Sequence, residues 1–328
     1  MRRRDFIALL GGTALAAPNI ALAQNGMRRI GALLQFEEDN TGTQLWLTAF
    51  RDGLQKLGWS EGRNVRFDYR FAGMNQAAMK RFAQEIVASK PDLILSSSSL
   101  TTRILKLETS TIPVLFLNIV DPVGQGLVAS LSRPAGNITG FVNLEPSVSG
   151  KFVELLKEIA PQITRVAIFY NPTTAPYYEI YLQPFKAAAA TLHIEAIATP
   201  VHDLAELDSV MATQAQKPNT GLIAMPDGFN TSNAKDIAAL MTRHKLPNVS
   251  PALASARLGG LLSYGNDITD NYRRAASYAD RILKGEKPAE LPVQFPVKFQ
   301  MLINLNAAKA LGLDVPLILQ QRADEVIE

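Results

Sequence analysis

A run of hydroxyl-bearing residues carries the strongest chemical signal in the chain. Its members are Ser96, Ser97, Ser98, Ser99, Thr101 and Thr102. The run follows a short apolar strand predicted over 92–95 and opens a helix predicted over 99–107. Hydroxyl groups and the free N–H groups of a helix start can bind an anion, and the helix dipole favours negative charge there. A carboxylate could therefore bind here without an arginine. The alternative is that a single serine caps the helix.

Three aspartates, Asp121, Asp227 and Asp267, each stand where a predicted strand passes into a loop. One or two of these carboxylates could hold a ligand's ammonium group through charge-assisted hydrogen bonds. The alternative is that each aspartate shapes a turn or caps a helix. The residue pattern leaves both roles open.

Aromatic and amide side chains follow several of the predicted strands. The further candidate ligand contacts are Gln35, Phe36, Asn118, Asn171, Tyr177, Phe229 and Tyr264. The aromatic side chains could enclose an apolar substituent, although an aromatic residue taken singly is more often part of a core. Combined with the hydroxyl run and the aspartates, these residues suit a small zwitterion or carboxylate, such as an amino acid with an aromatic or branched side chain.

Other motifs do not support catalysis, a metal or a cofactor. Residues 124–129 fit the G-x-G-x-x-A dinucleotide pattern, but Asp121-Pro122 separates them from their strand and Pro134 soon stops any helix. The three histidines lack metal-ligand spacing and a neighbouring nucleophile. There is no P-loop, no G-x-S-x-G and no H-E-x-x-H pattern. The sequence therefore predicts a binding protein without metal or cofactor rather than an enzyme.

The elements that must position these residues alternate between strand and helix along the whole chain. Continuous apolar strands in such an alternation predict doubly wound parallel sheets, in which ligands bind beyond the carboxyl ends of the strands. At 328 residues the chain exceeds the size at which single cores stop growing, so two lobes are expected. Turn residues at Asp121-Pro122 and over 133–137 indicate that the chain passes between the lobes there.

The amino terminus predicts an export signal over residues 1–23. Arg2, Arg3 and Arg4 precede an apolar stretch, and Ala21-Leu22-Ala23 offers a cleavage site. Arg3-Arg4-Asp5-Phe6-Ile7 resembles the twin-arginine export signal, although Arg2 stands where serine or threonine is usual, so the general export route stays open. The chain has no cysteine, which excludes disulfides and a lipid attachment site. We therefore expect a soluble protein in the bacterial periplasm, without a lipid anchor or stable membrane insertion.

The charge balance argues against a nucleic-acid partner. The formal net charge is +3, and the first five residues hold three of the 33 basic residues and one of the 30 acidic ones. Removing them leaves 30 basic against 29 acidic residues, so the mature chain is nearly neutral.

Several blocks of the sequence resemble ABC-transporter substrate-binding proteins of the tryptophan/tyrosine type. Among them, DPVGQGLVASLSRPAGNITGF over 121–141 and the stretch over 278–313 are the longest. The other matching blocks are residues 28–34, 50–70, 90–95, 151–161, 259–267 and 322–328. Two departures lie beside the expected cleft: Ala135 stands where glycine is usual, and the run over 96–99 is richer in hydroxyls than is common.

The resemblance implies a type I periplasmic-binding fold, in which two α/β lobes joined by a three-strand hinge close on a small solute. The implied crossings lie near 138–142, 264–267 and 291–297. The amino lobe would comprise 28–138 plus 268–288, and the carboxyl lobe 139–264 plus 291–328. The implied partners are a small-molecule solute and the permease and ATPase subunits of an importer, with the receptor itself a monomer.

Two other functions stay open. The same receptor could serve a chemosensory or signalling system instead of an importer. A periplasmic hydrolase using a serine from 96–99 is the third hypothesis.

Overall fold

The computed structural model describes residues 26–328, so the predicted export signal lies outside the described residues. The described chain forms two sheets with helices on both faces. No helix within 26–328 is both long and apolar enough to cross a membrane.

The first sheet has five strands, all parallel, in the order β2-β1-β3-β4-β5. Its strands are β1 (Arg28–Leu34), β2 (Val65–Phe71), β3 (Leu93–Ser96), β4 (Val114–Ile119) and β5 (Ile138–Val142). The helices between them are α1 (Thr41–Lys56), α2 (Gln76–Ala88) and α3 (Ser99–Glu108). Apart from the edge strand β2, these strands are almost wholly buried, as expected for a parallel sheet covered on both faces.

The second sheet has seven strands in the order β12-β11-β10-β9-β8-β6-β7. Its strands are β6 (Arg165–Tyr170), β7 (Glu195–Pro200), β8 (Thr220–Ala224), β9 (Asn248–Ser250), β10 (Leu262–Asn266), β11 (Phe299–Asn304) and β12 (Glu325–Ile327). All neighbours are parallel except β10 and β11. The antiparallel pair departs from the predicted all-parallel sheet, because β11 enters this sheet after the chain has returned from the first one.

Helices of the second half pack mainly on the second sheet, with one exception. They are α4 (Val148–Ile159), α5 (Tyr178–Thr191), α6 (Leu204–Ala215), α7 (Gly228–Ser232), α8 (Ala234–Arg243), α9 (Ala254–Arg257), α10 (Ile268–Leu283), α11 (Leu305–Ala310) and α12 (Leu317–Arg322). The exception is α10, which packs on α1 of the first sheet. A Cβ on Gly53 of α1 would lie 2.7 Å from the Cβ of Ala276 and 2.9 Å from the carbonyl oxygen of Arg273. Only glycine allows these two helices to approach so closely.

The chain passes between the sheets three times, over 143–147, around Asp267 and over 291–298. The first and third crossings lie side by side, since Val142 N donates to Gln294 O and Gln294 N donates to Gly140 O, both over 2.9 Å. The second and third are joined by Asp267 N, which donates to Lys298 O over 2.9 Å. The crossings therefore form one hydrogen-bonded hinge.

The first crossing begins later than the sequence suggested. The expected lobe boundary at 138/139 divides β5, whereas β5 pairs with β4 along its whole length and belongs to the first sheet. The β-branched residues at the start of β5 predicted the first strand of the second lobe, whereas β5 is the last strand of the first sheet. The boundary moves to about residue 142.

Candidate functional site

The carboxyl ends of the two sheets face each other across a closed cleft. Gly228, at the start of α7, belongs to the second sheet's edge. A Cβ added to it would lie 2.6 Å from Gln35 Nε2 and 3.6 Å from Met74 Cε, both on the first sheet's edge. The loops after the strands of both lobes therefore meet here, as a doubly wound fold leads one to expect for a ligand site.

Two of the four serines are used to build the start of α3. The Ser98 hydroxyl accepts from Thr101 N over 3.2 Å, and the Thr101 hydroxyl accepts from Ser98 N over 3.1 Å, which is a capping box. Ser96 lies fully buried, with its hydroxyl 2.8 Å from that of Thr101 and 2.7 Å from that of Thr102. The capping alternative thus accounts for Ser98, and Ser96 is engaged by the two threonines of the first helical turn.

The other two serines keep a hydrogen free to donate. Ser97 Oγ accepts from Gln35 N over 2.9 Å, and Ser99 Oγ accepts from Gln125 Nε2 over 3.1 Å. Both serines are buried, at 6% and 8% exposure. A hydroxyl that accepts one bond still carries its own O–H, so Ser97 and Ser99 can each donate to an anion beside the helix start.

Asp227 is buried at 5% exposure and binds its own lobe. Its Oδ2 accepts from Asn171 N over 2.7 Å, and its Oδ1 accepts from Phe229 N over 3.0 Å and from the Thr174 hydroxyl. Burial raises the pKa of Asp227 to about 6, although these three hydrogen bonds oppose the rise. The carboxylate joins the loop after β6 to the start of α7. Asn171 is equally engaged, since its Nδ2 donates to His202 O over 2.9 Å.

Asp121 and Asp267 also have partners within the chain. Asp121 Oδ1 accepts from Gly124 N over 2.8 Å, which closes the turn after β4. Asp267 caps α10 by accepting from Asp270 N over 3.1 Å, and its other oxygen lies 2.8 Å from Lys298 Nζ. Burial alone would raise the pKa of Asp267, but the bonds from Lys298 and Asp270 outweigh it and hold that pKa below its ordinary value.

The predicted aromatic cage is divided between different surroundings. Phe36 is the first of three aromatic rings in a row. Its ring centroid lies 6.2 Å from that of Trp46, and the Trp46 ring stacks on Tyr272 with centroids 5.7 Å apart. Tyr177 lies at the opposite edge, where its hydroxyl donates to Pro226 O over 3.1 Å. Phe36 and Tyr177 therefore remain near the loops that close the cleft.

Phe229 and Tyr264 lie elsewhere. Phe229 packs in the hydrophobic core formed with β8, α6 and α8. Tyr264 stacks on Phe299 with centroids 5.9 Å apart. It lines a pocket of about 290 Å³ together with Glu145 and Phe295 of the hinge.

Five amide side chains at or just after the carboxyl edges carry a buried atom that has no hydrogen-bond partner among residues 26–328. They are Asn118, Gln125, Asn143, Asn230 and Asn266. Only Asn118 was among the sequence candidates. The other amides could not be predicted from the sequence, because an amide residue after a strand is typical of an ordinary turn. Trp46, Met74 and Gly228 likewise have no sequence pattern that predicts a place at the cleft.

The family profile for ABC transporter substrate binding protein matches residues 34–327, which is nearly the whole described chain. The chain belongs to the ABC transporter substrate-binding proteins. This match confirms the resemblance seen in the sequence. The two sheets described above confirm the predicted two-lobed α/β architecture.

This substrate-binding protein has relatives whose ligands are named. The "Tyrosine-binding protein" of Clostridioides difficile is 24% identical over 267 residues, covering 80% of this chain and 75% of that protein. The ABC domain from Streptococcus pneumoniae in complex with L-Trp superposes with a TM-score of 0.84 at 25% identity, over 92% of this chain and all of that one. A conserved domain protein from Vibrio cholerae gives 0.83 at 28% identity, with coverage of 92% and 100%.

Proposed function

We propose that this substrate-binding protein is the periplasmic receptor of an ABC importer, and that it binds a small zwitterion or carboxylate between its lobes. An amino acid with an aromatic or branched side chain fits best. The contact of Gly228 with Gln35 and Met74 carries the proposal, because it brings together the carboxyl edges of both sheets, which border the space between the lobes in which a ligand would lie.

The chemistry of that space suits a carboxylate next to an apolar group. Ser97 and Ser99 can donate to an anion at the start of α3 without a basic side chain. Phe36, Trp46 and Tyr272 form a row of aromatic rings on the same lobe. The relatives named for tyrosine and in complex with L-Trp support this ligand class.

Function follows from closure. We assign residues 28–142 plus 268–288 to the amino lobe and the remaining described sheet, with its helices, to the carboxyl lobe. A ligand that contacts both lobes binds the closed form more tightly than the open one and shifts the equilibrium by that difference in affinity. The permease and ATPase subunits would recognise the closed, loaded receptor.

A ligand screen tests the proposal. The melting temperature of the mature protein is measured with each of the twenty amino acids and with small carboxylates. At least one aromatic or branched amino acid should raise it, since a ligand at 100 times its Kd adds about 2.7 kcal/mol to the free energy of unfolding. Small-angle scattering should show a smaller radius of gyration with the same ligand. If every amino acid leaves both quantities unchanged, the amino-acid receptor is excluded.

Ser97→Ala tests whether the ligand's carboxylate lies at the start of α3. Loss of a buried hydrogen bond to a charged ligand group should weaken binding of the amino acid found in the screen at least tenfold, as measured by calorimetry. Ser209→Ala removes an exposed hydroxyl on α6 and serves as the control. Equal affinities in Ser97→Ala and the wild type would place the carboxylate elsewhere.

A further inference from the structure

Two of the unpartnered amides lie next to each other on the amino side of the hinge. Asn143 N donates to Ile119 O over 2.8 Å, which sets the first residue of the first crossing beside the end of β4. Asn118 immediately precedes Ile119 and is the residue at which the pairing of β4 with β5 shifts register. Its φ of +59° is a conformation that asparagine tolerates better than most residues. Such a bulge re-aims a side chain at the end of a strand.

A third amide comes from the carboxyl side of the hinge. Asn266 is the last residue of β10, lies opposite Phe299 of β11, and is only 4% exposed. Its Nδ2 is buried and finds no acceptor within residues 26–328. The amino side of the hinge thus presents two acceptors, the Oδ1 atoms of Asn118 and Asn143, and the carboxyl side presents one donor.

These groups are costly to enclose. A buried donor or acceptor without a partner costs about 1–3 kcal/mol. In the described structure, in which the lobes are in contact, all three atoms are shielded from water and have no partner among residues 26–328. Opening the cleft would admit water to them, and a ligand carrying two donors and an acceptor would satisfy them in the closed form.

We propose that Asn118, Asn143 and Asn266 make closure of this receptor conditional on a ligand that donates to the first two and accepts from the third. The inference rests on the proposed function and sharpens its ligand class. An α-amino acid meets the requirement, because its ammonium group donates to two amide oxygens while its carboxylate accepts from an amide nitrogen.

The ammonium group is then held by neutral oxygens and not by an aspartate. The three aspartates near the hinge and cleft already accept hydrogen bonds from Gly124, from Asp270 and Lys298, and from Asn171, Thr174 and Phe229. Neutral acceptors accept N–H groups of amines and amides alike. The ligand class therefore includes molecules whose two donors are the N–H groups of an uncharged primary amide, which an aspartate site would disfavour.

Asn143→Leu should favour closure of the ligand-free protein and at the same time weaken ligand binding. Leucine of similar size removes the unused acceptor, so the ligand-free variant should close more readily than the wild type, with a radius of gyration shifted toward that of the closed form. Its affinity for the amino acid should nevertheless fall at least tenfold, because the ligand loses an acceptor. A residue with only a structural role would not produce more closure together with weaker binding.

Gln214→Met is the matched control. Gln214 on α6 is likewise buried, and its Oε1 has no partner in the part of the chain that the structure describes, but it lies away from the hinge. This variant should leave ligand-free closure and affinity unchanged. Unchanged scattering and affinity in Asn143→Leu would overturn the inference. If Asn143→Leu does not fold, the same two measurements on Asn266→Leu decide.

The two proposals fail differently. A wild type that binds no amino acid removes the proposed ligand, yet the ligand-free scattering of Asn143→Leu against Gln214→Met still tests the amides. A wild type that binds an amino acid, with Asn143→Leu unchanged in both measurements, removes the amide inference alone.

Discussion

Asp227 shows how a single residue can satisfy a sequence pattern and still serve another purpose. The sequence marks it as a carboxylate after a strand beside the cleft. In the structure it is buried and accepts three hydrogen bonds from its own lobe, two from backbone N–H groups and one from a hydroxyl. Such a group anchors the loop after β6 to α7, so its contribution is to hold the carboxyl edge of the second sheet in shape.

Asp227→Asn should destabilise the protein by about 1–3 kcal/mol, because an amide nitrogen must then face a buried N–H or hydroxyl group. The pKa of Asp227 is raised to about 6 on folding, so the folded state holds its proton more tightly than the unfolded state, whose pKa is about 4. The wild type therefore loses stability from this group as the pH rises from about 4 to about 6, and the loss levels off above that.

Urea unfolding of both proteins between pH 4 and pH 7 measures this dependence. The stability difference between the wild type and Asp227→Asn should narrow as the pH rises through this range. A difference that stays constant would show that Asp227 titrates in the fold as it does in the unfolded chain.

At the scale of elements, the hinge is a set of three crossings tied to each other by named bonds. Arg274 of α10 donates to Phe295 O over 3.0 Å and lies over the ring of Phe141, 5.3 Å from its centroid. Asp267 and Lys298 join the second and third crossings both through the backbone and as an ion pair. Movement of one crossing must therefore displace the others.

Lys298→Met should separate hinge geometry from fold stability. The lysine side chain is 54% exposed, so the ion pair is worth at most about 1 kcal/mol, and the free energy of unfolding should change by no more than that. Because the pair is present in the closed form, its loss should lower ligand affinity by up to about fivefold. The pKa of Asp267 is lowered in the fold, so this effect should persist as the pH falls to the ordinary pKa of an aspartate and fade only when the pH passes through the lowered pKa of the folded protein.

Calorimetric titration with the ligand provides the measurement, and Arg322→Met is the control. Arg322 pairs with Glu158 over 2.6 Å within the carboxyl lobe, at similar exposure. Its loss should change neither affinity nor closure. An affinity of Lys298→Met equal to that of the wild type would show that the pair persists unchanged on opening.

At the scale of the whole molecule, function depends on how closely two lobes can approach. Gly228 decides this distance, since its missing side chain leaves room for Gln35 and Met74 of the other lobe. The backbone of α7 does not require a glycine at this position, because Gly228 does not adopt a positive φ. We therefore expect the glycine to matter for closure and not for folding.

Gly228→Leu should keep the lobes apart. We expect ligand affinity to fall at least tenfold, the radius of gyration with ligand to stay near that of the open form, and the melting temperature without ligand to be unchanged. Gly228→Ala is the matched control, because its Cβ would meet only the mobile ends of Gln35 and Met74, which can shift. Full closure of Gly228→Leu in scattering would place the lobe contact elsewhere.

Much of the element order was predictable because it depends on local pattern. The strand predicted over 92–95 and the helix predicted over 99–107 are β3 and α3 of the structure, within one residue at each end, since an apolar run and a serine cap mark them. Short elements such as β9 and β12, with three residues each, were missed. Three residues carry no period, so only their partners in the sheet make them strands.

The sequence by itself determined the two-lobed α/β class, the family and the edge of the sheets at which a ligand should bind. Only the tertiary structure decided which side chains at that edge are free. Ser96 and Ser97 are chemically identical, yet one hydroxyl faces two threonines and the other faces the backbone of Gln35. Hydrogen-bond partners come from distant parts of the chain, as with Asn143 beside Ile119, so local spacing does not reveal which groups remain unpaired.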